Sequence, residues 1–451
     1  MNPGSPDARN IVTVIFLVLI LVTTLWGEVP ANTSPGVIVI IVDTVRADHL
    51  GCYGYHRETS PNIDRFSQEC VLFTKAISPA PWTTPAIASM FTGQFPYVLG
   101  FQDEAVAVDK RALCLAEIFR DNGYVTAGVI SHTYVSAKFG FDQGFDSFDE
   151  ENVKGHLHVS SPSITDKAIA FIDAHKEERF FLFLHYFDPH FTYILHEQYD
   201  FYPDYQGNLH SGQRISALRR ASTEMTEEDK QYVIALYDSE IRFTDEHIGR
   251  LFKHLDELGI YEDLLIVFAA DHGEAFLERD EHWIGHTKNV YQELIHVPLM
   301  IRLPHSDEGL VVGDWVSLVD FMPTVVSAAG LAVPDGYQHE GRNLLGAGPV
   351  ARRQTIFSET DRWGDQEAVI HGNWKAINDN NSGRLYLFDL VSDPGETMDV
   401  SGENKDILIE LRTDLQETRM DLEQKTSRFE SVAPKLTPQE IRRLKSLGYI
   451  R

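Results

Sequence analysis

Three apolar runs in this chain end in carboxylates and imidazoles. Residues 37–42 (VIVIIV) end in Asp43, with Thr44, Arg46 and Asp48 close behind. Residues 180–185 lead through Tyr186 and Phe187 into Asp188-Pro189-His190. Residues 264–270 lead into Asp271-His272-Gly273-Glu274, with His282 and His286 shortly after. An ionised acid is costly to bury, so acids and histidines at the ends of buried strands suggest a ligand to offset that cost. Carboxylate and imidazole together suit a hard or borderline divalent cation. Each piece alone is weak, because an Asp after a strand is usually a turn former and a single His usually a satisfied polar residue. Their conjunction on successive strands points to a metal centre of Asp43, Asp271 and His272.

A hydroxyl completes the set. In Pro81-Trp82-Thr83-Thr84-Pro85, the proline opens a helix, so Thr83 falls just before its N-terminus. Free N–H groups and the helix dipole favour an anion there. A threonine at that place, touching the cation, is acidified toward an alkoxide and can attack sulfur or phosphorus. Thr83 is therefore assigned as nucleophile and fourth metal ligand, and Thr84 as the helix cap. His190 and His286 are assigned to the ester oxygens or to protonation of the leaving group. Arg46, Asp188 and Lys288 are assigned to substrate binding.

The elements that must hold these groups follow from hydrophobic pattern. The runs at 37–42, 125–130, 180–185, 264–270 and 297–303 are apolar on both faces, the mark of strands inside a parallel or mixed sheet. Helices lie between them: one opens at Ser60-Pro61, another ends at Gly123, and a third, over 232–258, ends at Gly259. This alternation predicts an α/β sandwich with helices on both faces and its functional groups beyond the carboxyl ends of the strands. Residues 200–230 look like an inserted loop or lid. From about residue 355 the pattern becomes antiparallel, over 354–359, 367–378 and 384–390. An amphipathic helix at 405–425 and a last one announced by Thr437-Pro438-Gln439-Glu440 follow. The expected divisions are a leader at 1–31, a catalytic domain at 35–350 and a smaller subdomain at 351–451.

Composition bounds the partners. Apolar residues at 43% and charged residues at 24% describe a globular chain. Lys plus Arg number 39 against 67 Asp plus Glu, a net charge of −28, which argues against nucleic acid as a partner. An anionic substrate must then be drawn in by a local positive site. Residues 11–26 are almost wholly apolar and follow Arg9, which predicts a signal peptide or an uncleaved membrane anchor. The catalytic part is thus expected to be secreted, periplasmic or held at the outer membrane face. Cys52, Cys70 and Cys114 lack the spacing of a disulfide framework or zinc site and read as buried free thiols.

The segment Asp43-Thr44-Val45-Arg46-Ala47-Asp48-His49-Leu50-Gly51-Cys52-Tyr53-Gly54, followed by Thr59-Ser60-Pro61-Asn62-Ile63-Asp64, resembles the opening of a sulfatase-family protein. The resemblance continues through Trp82-Thr83-Thr84-Pro85, His185 to His190, Asp271-His272-Gly273-Glu274, Tyr291 to Pro298 and Ser317 to Asp320. It reaches Leu387-Phe388-Asp389-Leu390 and Asp393-Pro394-Gly395-Glu396 of the C-terminal subdomain. It implies an alkaline phosphatase-like fold and metal-dependent ester hydrolysis. The departures are informative. Formylglycine sulfatases carry Cys/Ser-x-Pro-x-Arg where this chain has Thr83-Thr84-Pro85-Ala86-Ile87, so no formylglycine is expected. His286 falls where many sulfatases have a substrate-binding lysine, and the lysine and histidine expected after the second strand are not evident around Ser131-His132.

An Asp, Thr, Asp, His ligand set resembles instead the branch acting on phosphorus, which uses a threonine nucleophile. The expectation is one divalent ion (calcium, manganese or zinc) and hydrolysis of a sulfate or phosphate/phosphonate ester, phosphodiesters included. A phosphoryl transferase to a lipid or glycan, or a catalytically inactive sulfatase-like binding protein, are the alternatives. The retained Asp43, Asp271, His272, His190 and His286 argue against inactivity.

Overall fold

The computed structural model describes residues 36–101, 106–155, 158–279, 282–346, 353–438, 441–442 and 444. The apolar segment 11–26 lies outside them, as does most of the helix expected after Thr437. Among the described residues no helix is long and apolar enough to cross a membrane.

Among the described residues ten strands precede the C-terminal subdomain: β1 Gly36–Val42, β2 Val71–Ile77, β3 Val125–Val129, β4 Ser147–Asp149, β5 Phe180–Tyr186, β6 Leu265–Ala269, β7 Ala275–Phe276, β8 Ile284–Gly285, β9 His296–Arg302 and β10 Leu310–Ser317. Eight form one sheet in the order β10-β2-β9-β6-β1-β5-β3-β4, and β7 pairs with β8. The continuous apolar run of β1 has its explanation here: it lies between β5 and β6, and all of its residues are buried. Strand β9 runs antiparallel to both its neighbours, β2 and β6, and the remaining pairs are parallel. That polarity brings the carboxyl ends of β1, β2, β3, β5 and β6 to one edge.

The helices are α1 Pro61–Ser67, α2 Thr83–Thr92, α3 Leu115–Asp121, α4 Ser161–His175, α5 Ile215–Ala221, α6 Glu227–Leu258, α7 Gln292–Ile295, α8 Phe321–Ala328 and α9 Lys405–Glu423. Helices α1, α4 and α6 pack together, as do α2, α3 and α8, completing the α/β/α sandwich. Helix α6 starts at Glu227, ahead of the apolar periodicity that begins at Tyr232. Its start is set by a capping box in which Thr226 accepts from the Asp229 N–H and Asp229 accepts from the Thr226 N–H. The three cysteines are free, Cys70 and Cys114 buried and Cys52 half-buried.

Strands β11 Thr355–Thr360, β12 Gln366–His371, β13 Trp374–Asp379 and β14 Arg384–Asp389 form an antiparallel sheet covered by α9. The alternating stretch 367–378 is a hairpin rather than one strand, turning at Gly372 with φ 60°. A buried ion pair ties this subdomain to the catalytic domain. Lys375 Nζ lies 2.6 Å from Glu396 Oε1 and donates to the Val290 carbonyl at 2.7 Å. Glu396 Oε2 accepts the Gln292 N–H at 2.7 Å. Removing one partner strands the other charge in the interior. Lys375→Ala is therefore expected to lose about 3–5 kcal/mol in urea unfolding, and the double change Lys375→Met with Glu396→Leu distinctly less. Equal losses in both variants would show that the pair does not anchor the subdomain.

Candidate active site

After β2 the chain crosses the sheet edge and enters α2. Trp82, with φ −162° and ψ 158°, occupies the cap position and makes no side-chain cap bond, so Thr83 is the first helical residue. The helix thus begins earlier than the proline suggested. Pro85 is tolerated in the first turn because its missing N–H would find no intrahelical partner there. Thr84 is not the cap: its hydroxyl donates to the Tyr134 carbonyl at 3.4 Å.

Thr83, only 2% exposed, lies with its Oγ1 3.2 Å from His272 Nε2. The tautomer of His272 follows from its other contact. Nδ1 lies 2.9 Å from the Gly273 carbonyl, which can only accept, so Nδ1 carries the proton and Nε2 presents a lone pair. That nitrogen is 3.6 Å from Asp43 Oδ1 and 3.4 Å from Asp271 Oδ2. His132 Nδ1 approaches Asp43 Oδ2 to 3.1 Å, and His185 Nε2 to 3.7 Å. Asp271 Oδ1 accepts from the backbone N–H groups of His272 at 2.9 Å and Thr44 at 3.3 Å. The backbone at Thr44 is strained, with φ 60°, unusual for a β-branched residue. Tyr237 holds it there by donating to its carbonyl at 2.7 Å.

The electrostatics of these groups favour a cation. Both Asp43 oxygens and Asp271 Oδ2 are buried and accept no hydrogen bond from the described residues. Burial, then the nearby Asp271 and Glu274 charges, push the Asp43 carboxyl well above its usual range. Burial also raises Asp271 and lowers His272, and it pushes His185 down to about 3. Carboxylates short of a positive partner, ringed by imidazoles held neutral, are a donor set for a cation. Two groups have all their ligand atoms within 4.8 Å of one another: Asp43, His132 and His190, and Asp43, His185 and Asp271. His190 Nδ1 is committed to the Phe191 carbonyl at 2.9 Å, and His286 Nδ1 contacts Glu274 Oε1 at 3.0 Å.

Beside Thr83 lies a small pocket of ≈ 10 Å³, lined among others by His286, Arg219, Arg362, Trp82 and Trp363. Trp82 also borders a larger cavity of ≈ 380 Å³, rimmed by Glu359, Asp361, Glu367 and Arg419.

A sulfatase family model matches residues 35–331, about two thirds of the chain. The chain belongs to the sulfatase family. An ulvan-active sulfatase of Formosa agariphila is 26% identical over 366 residues, covering 75% of this chain and 68% of that protein. A solved structure in complex with its substrate D-glucosamine-2-N,6-O-disulfate has a TM-score of 0.70 at 20% identity, covering 87% of this chain and 99% of that one. The phosphonate monoester hydrolase of Agrobacterium radiobacter gives 0.69 at 20% identity, covering 87% and 96%. At such identities the structures speak for the fold. Membership makes the protein a hydrolase of a metal-dependent enzyme family.

Of the residues assigned from the sequence, Asp43, Thr83, Asp271, His272, His190 and His286 converge. Three do not reach the site. Asp188 closes the N-terminus of α4: Oδ1 accepts from the Ser160 N–H at 2.6 Å and hydroxyl at 2.7 Å, and Oδ2 from the Ser161 N–H at 2.7 Å. Arg46 is held by Asp48 at 2.8 Å, Glu278 at 2.5 Å and the Glu274 carbonyl at 3.0 Å. Lys288 is half-buried, its ammonium 5.4 Å from the Trp283 ring centroid and outside the lining of the small pocket beside Thr83. Sequence reasoning missed His132 and His185 as neighbours of Asp43. The signal was available, since His132 follows β3 as Asp43 follows β1, and His185 lies within β5. Arg219 and Arg362 carried no motif at all. Since Asp188 serves a helix terminus, Asp188→Ala is expected to cost about 1–2 kcal/mol of stability and Asp188→Asn less. KM for a chromogenic aryl ester should stay unchanged in both, and a raised KM with intact stability would return Asp188 to substrate binding.

Proposed function

We propose that this sulfatase-family enzyme hydrolyses a sulfate or phosphate-type ester through a covalent intermediate on Thr83, with a divalent cation held beside it. The carrying observation is the buried Thr83 hydroxyl, 3.2 Å from His272 Nε2 and next to two carboxylates with oxygens that accept no hydrogen bond from the described residues. Asp43, Asp271, His272 and Thr83 would hold the cation, with His185 and His132 beside them. When bound, the ion supplies charge neutralisation for the ester oxygens and acidifies the hydroxyl. Imidazoles in the set favour zinc or manganese over calcium, which prefers oxygen. The two donor groups that share Asp43 support a second reading, in which Asp43, His132 and His190 would hold one cation and Asp43, His185 and Asp271 another, and a metal content of two per chain would select it.

In the chemical step Thr83 Oγ1 bonds to sulfur or phosphorus as its proton passes to the neutral His286 imidazole, and the bond to the alcohol oxygen breaks. The N-terminus of α2 favours the negative charge that develops there. His286, oriented by Glu274 and with His190 beside it, then gives that proton to the departing oxygen. Water then attacks the central atom and frees the threonine. A formylglycine hydrate can expel sulfate with its second hydroxyl, whereas a threonine ester has no such exit. Phosphorus esters are therefore favoured at least equally with sulfate esters. The apolar segment 11–26 supports a location outside the cytoplasm, and N-terminal sequencing of the mature protein distinguishes cleavage near Ala31 from a retained anchor.

Thr83→Ala should lower kcat by about two orders of magnitude or more, the scale for losing covalent catalysis while electrostatic effects remain. Thr84→Ala should leave the rate nearly unchanged. Mass spectrometry over residues 76–94 should show unmodified threonine, and Asp271→Asn should sharply lower metal content. An aldehyde at Thr83, full activity in Thr83→Ala, or wild-type metal content in Asp271→Asn would each refute its part of the assignment. Aryl sulfates turning over while every phosphorus ester stays inert would leave the sulfatase reading without the phosphorus preference.

A further inference from the structure

The pocket beside Thr83 is bordered by two guanidinium groups that come from outside every motif quoted above. Arg219 is carried by α5, within the segment 200–230 that interrupts the fold between β5 and α6. Its Nε donates to the Ile284 carbonyl at 2.7 Å, and its guanidinium carbon lies 3.9 Å from the Trp283 ring centroid and 5.4 Å from that of Trp363. Among the described residues no carboxylate lies within ion-pair distance of it. Desolvation of this cation lowers its pKa to about 10, against only partial compensation from Glu274 and Tyr193. An arginine packed between aromatic faces and without a counterion is poised for an anion, because its planar, weakly hydrated fork matches two oxyanion oxygens at once.

Gly285 makes this placement possible. Its φ is 111°, and a Cβ there would come within 2.3 Å of Arg219 Nη2. The guanidinium thus lies against a backbone position that only glycine leaves open. The second guanidinium is that of Arg362, beyond β11 in the C-terminal subdomain, 5.4 Å from the same Trp363 ring centroid. Its Nη2 donates to the Tyr134 hydroxyl at 3.2 Å, and its guanidinium carbon lies 4.4 Å from the Trp82 ring centroid. Both arginines border the same cavity as Thr83 and His286. Their two charges, after burial and His272, contribute to holding the His286 imidazole neutral.

We infer that Arg219 and Arg362 form the site for the non-bridging oxygens of the tetrahedral sulfate- or phosphate-type group, with Arg219 as an anion-binding residue and Gly285 as its positioning residue. The inference rests on Thr83 being the attacked group's acceptor. Arg219 and Arg362 reach the site from different parts of the chain, so the anion pocket is complete only when the α5 segment and the C-terminal subdomain are both docked.

The test is equilibrium binding of inorganic phosphate to the purified full-length protein, followed by calorimetry and by inhibition of aryl ester turnover. Arg219→Met should weaken phosphate by about 10- to 100-fold, the scale for losing hydrogen bonds to a charged group. Arg219→Lys should recover part of that loss. Gly285→Ala should weaken phosphate with the arginine itself intact. Metal content and Tm are expected to stay at wild-type values in Arg219→Met and Arg219→Lys. Thr83→Ala should lose turnover and keep its affinity for phosphate. Wild-type phosphate affinity in Arg219→Met would overturn the inference, as would a loss that appears only together with loss of metal. Should Thr83→Ala keep full turnover while Arg219→Met loses phosphate, the nucleophile assignment falls and the anion site stands.

Discussion

Asp43 and Asp271 are fully buried beside one another, and three of their four carboxylate oxygens accept no hydrogen bond from the described residues. Two carboxylates cannot both stay ionised in such a place without a compensating charge. The surrounding histidines do not provide it, because burial keeps His185 and His272 neutral. The arrangement is stable as a receptacle for a cation and costly as anything else. Much of the architecture serves that constraint. The parallel strands β1, β5 and β6 bring their carboxyl ends together, and the strained Thr44 backbone turns its N–H toward Asp271.

The sheet was legible because burial on both faces leaves a plain trace. Residues 37–42 read as a strand and form most of β1, and the same holds for the runs that became β3, β5, β6 and β9. Ligand candidates at strand ends were legible for the same reason: a polar residue directly after a buried run must sit at the sheet edge. Direction was not legible. Arg46, Asp188 and Lys288 stand beside the motifs in sequence, yet two are consumed by Asp48 with Glu278 and by the α4 terminus, while Lys288 lies at Trp283. Sequence proximity to a site says nothing about which neighbour a long or branched side chain satisfies first. Arg219 and Arg362 show the converse. They reach the cavity through α5 and the C-terminal subdomain, and tertiary packing of that kind has no local signature. The helix start one residue before Thr84 was missed because a proline fits the third helical position as readily as the first.

The same positions resolve the tension between the chain's charge and its chemistry. A net charge of −28 repels any anionic ester at long range, and salt screens that repulsion beyond roughly 8–10 Å. Inside the site the balance is local. Each arginine at the cavity is desolvated against tryptophan, where its field is less screened than at the surface. Trp82 borders both this pocket and the larger cavity rimmed by Glu359, Asp361, Glu367 and Arg419. Thr83, one residue beyond that tryptophan, lines the pocket that the two arginines border. Its place is fixed by the same backbone that positions the Trp82 ring, so Thr83 and the wall shared by the two cavities cannot move independently.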